Sequence, residues 1–167
     1  MIPSTLNVQL QPAGSNVIVV LSGAMDENAN YEPVKAGKWT SFTFDFAGIS
    51  LINSTGLQQW TKFLSSLPNN AVIAFRNCSQ RVVNQINLFP GFIGGHKVNI
   101  ESFFAPYFCA ECDQSQNVLL TTSQLPTPPK SPAQNCPTCS KAMEFDGIEK
   151  KFFAFLNRKG DGLSQAS

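Results

Sequence analysis

The sequence predicts an α/β fold, in which helices pack on a β-sheet, followed by a small unit that carries four of the five cysteines. Strand-like and helix-like stretches alternate over the first part of the chain, which is the pattern expected of such a fold. With 167 residues, of which 43% are hydrophobic, the chain can bury the core of one domain and carry a small appendage.

The predicted elements of the first part follow the order strand, strand, short helix, strand, helix, strand, helix. Their ranges are 6–10, 17–21, 26–34, 40–46, 54–67, 71–75 and 80–88. The first two flank a turn-rich stretch and are predicted to form a hairpin. In the longest helix, Leu57, Trp60 and Leu64 recur at helical spacing, and Ser54 or Thr55 stands where an N-cap would.

The next part of the chain is predicted to be a hairpin and a long loop. Residues 98–108 form a strand that leads into Cys109, and residues 117–122 form a strand that leaves Cys112, so this cysteine pair is expected at the hairpin tip. Residues 124–135 are rich in proline and are predicted to form a stiff, extended loop. Such a loop is long enough to bring a second cysteine pair back to the first.

The apolar residues between Phe145 and Leu156 recur at helical spacing and predict a last helix that ends near Asn157. We therefore divide the chain into an α/β domain at 1–105, a cysteine ribbon with this helix at 106–158, and a flexible tail at 159–167. Two placements of the helix stay open. It either belongs to the ribbon or folds back onto the first domain, which would make the ribbon an insertion.

Four cysteines have the spacing of a metal site. Cys109 and Cys112 form one Cys-x-x-Cys pair, Cys136 and Cys139 form another, and 23 residues separate the pairs. This spacing is typical of zinc ribbons, in which two tight turns complete a tetrahedron with Zn–S distances of about 2.3 Å. Because the protein fills all four positions, the predicted zinc ion has a structural role rather than a hydrolytic one.

Other uses of the cysteines are less favoured. Disulfides would require an oxidising compartment, and the sequence from Met1 to Ser15 has no signal peptide, so we expect a reducing, cytoplasmic location. An iron site of the rubredoxin type uses the same four thiolates, and the ligands alone do not separate iron from zinc. Cys78 has no partner nearby in the sequence and is interpreted as a small buried hydrophobic residue.

Three segments carry a resemblance to a known family. Phe44 to Leu57 reads FDFAGISLINSTGL, Leu21 to Asp26 reads LSGAMD, and Asn77 to Val82 reads NCSQRV. Over residues 5–105 the chain resembles the sulfate transporter and anti-sigma factor antagonist (STAS) family. The resemblance implies a mixed β-sheet flanked by helices. It also implies a non-catalytic bacterial regulatory role, in which the domain binds a protein partner such as a kinase, an anti-sigma factor or another STAS domain.

The same resemblance implies a candidate phosphorylation and partner site at Asn53, Ser54, Thr55 and Gly56. In family members that switch partners, the residue before the glycine of an Asp-Ser-Ser/Thr-Gly-Leu motif accepts the phosphate, and here that residue is Thr55. A phosphate there would lie at a helix N-terminus, where free N–H groups and the helix dipole favour negative charge. Asn53 replaces the acidic residue of the family motif. The alternative interpretation is that Ser54 and Thr55 only cap the helix.

The sequence argues against several other classes of function. The single histidine, His96, lies in a glycine-rich loop and is interpreted as a surface residue rather than a general base, so we do not expect an enzyme. The longest early apolar run, residues 17–21, is too short to cross a bilayer, and no membrane partner is expected.

Nucleic-acid binding by the ribbon is an alternative function, and electron transfer at an iron-loaded site is a less favoured one. The formal net charge of the chain is only +1. Six basic residues lie in the last third: Lys130, Lys141, Lys150, Lys151, Arg158 and Lys159. Four acidic residues offset most of that charge: Glu144, Asp146, Glu149 and Asp161. We therefore consider a nucleic-acid partner unlikely on the sequence alone.

Overall fold

The computed structural model describes residues 5–157, which form two β-sheets with helices packed against them. The first sheet contains β1 (Leu6–Ala13), β2 (Asn16–Met25), β3 (Ser41–Ile52), β4 (Val72–Arg76) and β5 (Val98–Ile100). The second contains β6 (Ser102–Cys109), β7 (Gln114–Thr121), β8 (Gln134–Asn135) and β9 (Ala142–Phe145). The α-helices are α1 (Glu32–Lys35), α2 (Ser54–Ser66), α3 (Gln80–Leu88) and α4 (Glu149–Phe152). Short 3-10 helices lie at Pro90–Ile93, Thr122–Gln124 and Phe153–Asn157. The predicted tail at 159–167 lies outside the described residues.

The first sheet is mixed and has the strand order β1-β2-β3-β4-β5. The hairpin of β1 and β2 is antiparallel, whereas the pairs β2–β3, β3–β4 and β4–β5 are parallel. Because side chains alternate along a strand, Phe42, Phe44 and Phe46 lie on the face of β3 that the helices cover. The predicted mixed sheet flanked by helices is confirmed.

An aromatic cluster fills the space between the first sheet and its helices. Trp60 of α2 contacts the rings of Phe44, Phe46, Phe75 and Phe92, and all five side chains are fully buried. The indole N–H of Trp60 donates to the carbonyl of Phe92 at 2.8 Å, so the polar atom of this buried ring is satisfied. This aromatic cluster is the first sheet's part of one hydrophobic core, which continues to Phe103 and Phe155 beside the second sheet.

The chain passes directly from the first sheet to the second. The predicted single strand at 98–108 is broken at Glu101, whose N–H donates to the carbonyl of Phe75 at 2.8 Å. Next to it, Cys78 bonds the first residues of β6: its N–H donates to Ser102 and its carbonyl accepts from Phe104. Through these bonds β6 contacts the first sheet as well as its own. The predicted domain boundary at residue 105 falls within this strand.

The second sheet is antiparallel, with the strand order β7-β6-β9-β8. The predicted helix over 145–157 is wrong at its start, and only its middle part is α-helical, although helical structure does end at Asn157. Phe145 belongs to β9, where it pairs with Tyr107, and the helical part is α4 followed by a 3-10 helix. The apolar spacing was real, but pairing with β6 outweighs local helix propensity at Phe145.

The C-terminal helical segment packs against α3. Rings of Phe152, Phe153 and Phe155 surround Phe103 of β6, and the side-chain amide of Asn87 in α3 donates to the carbonyl of Phe152 at 3.0 Å. In the chain, the cysteine ribbon thus lies between two elements that both contact the first sheet or its helices. None of the helices in the described part of the chain is long and apolar enough to span a membrane.

Candidate metal centre

The four predicted cysteine ligands converge at one end of the second sheet. Cys109 ends β6 and Cys112 lies in the turn before β7, whereas Cys136 and Cys139 lie in the turn between β8 and β9. All four sulfur atoms lie within 4.8 Å of one another. The Sγ atoms of Cys109 and Cys139 are 3.5 Å apart, and those of Cys112 and Cys136 are 3.9 Å apart. The two hairpin turns therefore create one four-sulfur cluster that could hold a metal ion.

The sulfur spacing fits a tetrahedral ion. A tetrahedron with Zn–S bonds of about 2.3 Å has edges of about 3.8 Å, and the two measured separations lie on either side of that value. All four cysteines are free thiols rather than disulfides. Cys109 and Cys136 are buried and the other two are half-buried, so the protein surrounds the cluster and supplies every ligand.

In each cysteine turn a backbone N–H group bonds the first sulfur and a left-handed residue follows the second cysteine. The N–H of Cys112 donates to the sulfur of Cys109, and the N–H of Thr138 donates to the sulfur of Cys136, each at 3.4 Å. The residue after each pair has a positive φ, which is 54° at Asp113 and 66° at Ser140. This left-handed residue lets the chain reverse beside the sulfurs. Sequence reasoning missed both residues, although their position directly after each pair was a usable signal.

Hydrogen bonds within the cluster favour thiolates unevenly. The backbone N–H groups of Cys139 and Thr138 lower the pKa of the Cys136 thiol to about 6. A hydrogen bond with Cys139 and burial raise the pKa of Cys112 to about 12. A bound cation would replace the protons on these sulfurs, because the thiolate is the form of cysteine that ligates metals.

The proline-rich segment before Cys136 is fastened to the second sheet. The hydroxyl of Tyr107 donates to the carbonyl of Pro132 at 2.7 Å, and the N–H of Ser131 donates to the carboxylate of Glu149 at 2.8 Å. These bonds fix the approach of the segment to β8. The second cysteine pair therefore reaches the first along a defined path.

The four residues of the second predicted site are consecutive in the sequence and lie at the start of α2. Asn53 caps the helix, since its side-chain oxygen accepts from the N–H of Gly56 at 2.7 Å. The interpretation that Ser54 or Thr55 is the cap is therefore wrong, and both side chains are exposed. Asn53 also donates to the carboxylate of Glu27 at 3.1 Å, which holds the cap in place.

Gly56 sits where no other residue fits. A Cβ at this position would overlap the carbonyl oxygen of Met25. The same carbonyl accepts from the N–H of Asn53 at 3.1 Å, so the first turn of α2 is pressed against the end of β2. The backbone beneath Ser54 and Thr55 is therefore tightly held.

Two other residues considered in the sequence turn out to be structural. His96 is buried rather than at the surface, as the sequence had suggested, and its Nε2 lies 2.7 Å from the carbonyl oxygen of Leu64. Cys78 is fully buried, which confirms its interpretation as a small hydrophobic residue, and burial raises the pKa of its thiol. Neither side chain is positioned to act on a ligand at the cysteine cluster.

A scan of the chain against protein-family models finds no match, and a search of curated proteins finds no similar sequence. The resemblance to the STAS family therefore stays a prediction. What is established about the site rests on the positions of the four sulfurs.

Proposed function

We propose that this chain is a non-catalytic, cytoplasmic regulatory protein of bacteria, which binds a protein partner at the start of α2 and is held in shape by one structural zinc ion. The observation that carries the metal part of the proposal is the cluster of four sulfurs within 4.8 Å of one another, and the partner-binding part rests on the resemblance and on the exposed start of α2. A site with four protein ligands has no open position for water or substrate, so its role is to hold the chain.

Zinc suits this cluster better than the alternatives. Four thiolates in a tetrahedral arrangement favour zinc or iron over the hard cations, which prefer oxygen ligands. Zinc has no redox chemistry and tolerates any tetrahedral cage, which agrees with a site in a regulatory rather than an electron-carrying protein. Iron in the same cage would give a rubredoxin-like electron carrier, and the metal content distinguishes the two.

The surface around Ser54 and Thr55 supports a docking role for the first sheet. Both side chains are exposed, and the nearby Leu51 is 48% exposed although it is large and apolar. Beneath them the backbone is fixed by Asn53 and Gly56. A rigid platform with an exposed hydroxyl at a helix N-terminus can present or withhold a phosphate without refolding. Phosphorylation of Thr55 would therefore change what a partner meets.

The proposal is tested by replacing the hydroxyl with a charge. The tagged 167-residue chain is expressed in the cells from which it comes, as the wild type and as the variants Thr55→Glu and Thr55→Ala. The proteins that each of them captures are then compared. Ser65→Glu is the matched control, because Ser65 is exposed on the same helix about 15 Å farther along. We expect Thr55→Glu to change the capture of a defined protein by about tenfold or more, whereas the control captures it like the wild type. Equal capture by all four proteins would contradict switching at Thr55.

A further inference from the structure

A groove runs between α3 and β7 and shares no lining residue with the start of α2. Its volume is about 540 Å³. Six of the residues that line it are Gln80, Arg81, Asn84, Gln85 and Leu88 of α3 and Asn117 of β7. The side chain of Gln80 donates to that of Asn117, so the two elements are joined across the groove. The groove is therefore lined by one face of α3 and, on the side of β7, by Asn117.

The strand that contributes Asn117, β7, has a free edge. In the described part of the chain β7 pairs with β6 on one side and with no strand on the other. Its eight residues contain no charge and no proline, and Leu119 is 49% exposed. Proteins usually protect such an edge with charges, prolines or a covering segment. β7 has none of the first two, so it is suited to pair with an added strand.

The side chains that line the groove include groups that match a peptide backbone. Four primary amides, those of Gln80, Asn84, Gln85 and Asn117, line the groove. A primary amide both donates and accepts, as each peptide unit does, so these side chains can bond an extended chain of almost any sequence. Recognition of this kind occurs where a peptide adds a strand beside a helix.

The two ends of the α3 face define the chemistry of the occupant. Arg81 is exposed and forms no ion pair among residues 5–157, and no acidic residue lines the groove. Leu88 is 79% exposed, which makes it the most exposed of the large apolar side chains in the described structure. The two lie seven residues apart on one helix face, or about 10 Å, which falls between the separations of residues two and about four positions apart on one face of an extended peptide.

We propose that this groove binds an extended segment of a protein partner, which adds a strand to β7 and carries an acidic side chain for Arg81 and an aliphatic one for Leu88. Charge complementarity selects the acidic residue, since Arg81 is the only charge in the lining. The groove is distinct from the start of α2, so the two surfaces can fail independently. Because β7 leaves the cysteine cluster directly, the metal also holds this second surface in shape.

The test is selection from a phage-displayed library of random nine-residue peptides on the full-length, metal-loaded chain. We expect enriched peptides in which an acidic and an aliphatic residue recur about two or four positions apart, because side chains alternate between the two faces of an extended chain. Arg81→Glu should weaken their binding by about tenfold or more, and it should favour peptides in which lysine replaces the acid. Lys62→Glu, which makes the same charge change at an exposed position of α2, should leave binding unchanged.

A second variant and a mapping step make the outcome decisive. Leu88→Asp alters a side chain that is mostly in solvent, so folding should be retained while peptide affinity falls by about tenfold. Amide chemical shifts in the wild type should move along Gln114–Thr121 when a selected peptide is added. Lack of enrichment, or peptides that bind Arg81→Glu and Leu88→Asp like the wild type, would overturn the proposal. A dimer of this chain that Leu88→Asp dissociates would also overturn it, because the occupant would then be a second copy.

Discussion

The two sheets of this protein are stabilised in different ways. Beneath the first sheet, Trp60 and four phenylalanines form a continuous buried cluster that α2 helps to cover. In the second sheet, the aromatic rings gather around Phe103 at the end near α3, while the opposite end is occupied by the four cysteines. Small units rarely bury enough apolar surface to fold without a staple. We therefore expect the second sheet to depend on a metal ion at the cysteine cluster, whereas the first depends on packing.

The largest expected effect is loss of the second sheet on removal of the metal. Chelation, or Cys136→Ser, should speed amide exchange in β6, β7 and β9 by about a hundredfold or more near the cysteine turns. Exchange around Trp60 should change far less. Hydrogen exchange of the full-length chain, read by mass spectrometry, makes the measurement. Cys78→Ala is the control, because it removes a thiol that is outside the cluster and should keep the metal. Equal protection of the second sheet with and without metal would contradict the claim that this sheet depends on a metal ion.

The next effect concerns the packing of the first sheet. Phe44→Ala removes a fully buried ring that contacts Trp60 and Phe63, so it should reduce the free energy of unfolding by about 3–5 kcal/mol. The exposed Leu51 provides the control, since Leu51→Ala should change it by about 0.5 kcal/mol or less. Urea denaturation of the metal-loaded protein measures both. A loss below about 1 kcal/mol for Phe44→Ala would mean that the aromatic cluster is not the main source of stability there.

A smaller effect distinguishes the cap of α2 from its exposed neighbour. Asn53→Ala should cost about 1 kcal/mol, because the N–H of Gly56 loses its acceptor and Glu27 loses its donor. Thr55→Ala, at an exposed side chain, should cost about 0.5 kcal/mol or less. Thermal denaturation of the two variants side by side makes the comparison. The reverse order would restore Thr55 as the cap.

The smallest effect comes from a buried hydroxyl in the first core. The Tyr31 hydroxyl has no hydrogen-bond partner among the described residues, so Tyr31→Phe should leave stability unchanged or raise it by about 1 kcal/mol. Burial, and then the charge of Asp26, raise the pKa of Tyr31 above the usual 10.0. The folded state therefore favours the neutral phenol, and this contribution is complete below pH 10.0 and is lost as the pH rises beyond it. Urea denaturation at about pH 8 and about pH 11 should show a smaller alkaline loss for Tyr31→Phe than for the wild type.

Local patterns in the sequence were sufficient for much of the first sheet. The helix predicted at 80–88 matches α3, and the predicted hairpin of the first two strands is confirmed. The four cysteines were found from spacing alone, because two short turns must bring their sulfurs to one point. In each of these cases residues close in the sequence determine the structure.

Features that depend on distant contacts could not be predicted in this way. Phe145 has the spacing of a helix, but it joins β9 because Tyr107 offers a strand partner. His96 lies in a glycine-rich loop and yet is buried against the carbonyl of Leu64, which is 32 residues away. Each of these required tertiary contacts that periodicity does not encode.

The presence and identity of the metal ion decide whether the cysteine cluster holds the second sheet together. Elemental analysis of the full-length protein, purified without added metal or chelator, measures its content together with the visible absorption of the same sample. We predict about one zinc ion per chain in a colourless protein. Addition of a chelator should release this ion and make four thiols reactive. A metal-free protein whose second sheet is fully protected from exchange, or a coloured protein that contains iron, would contradict the account.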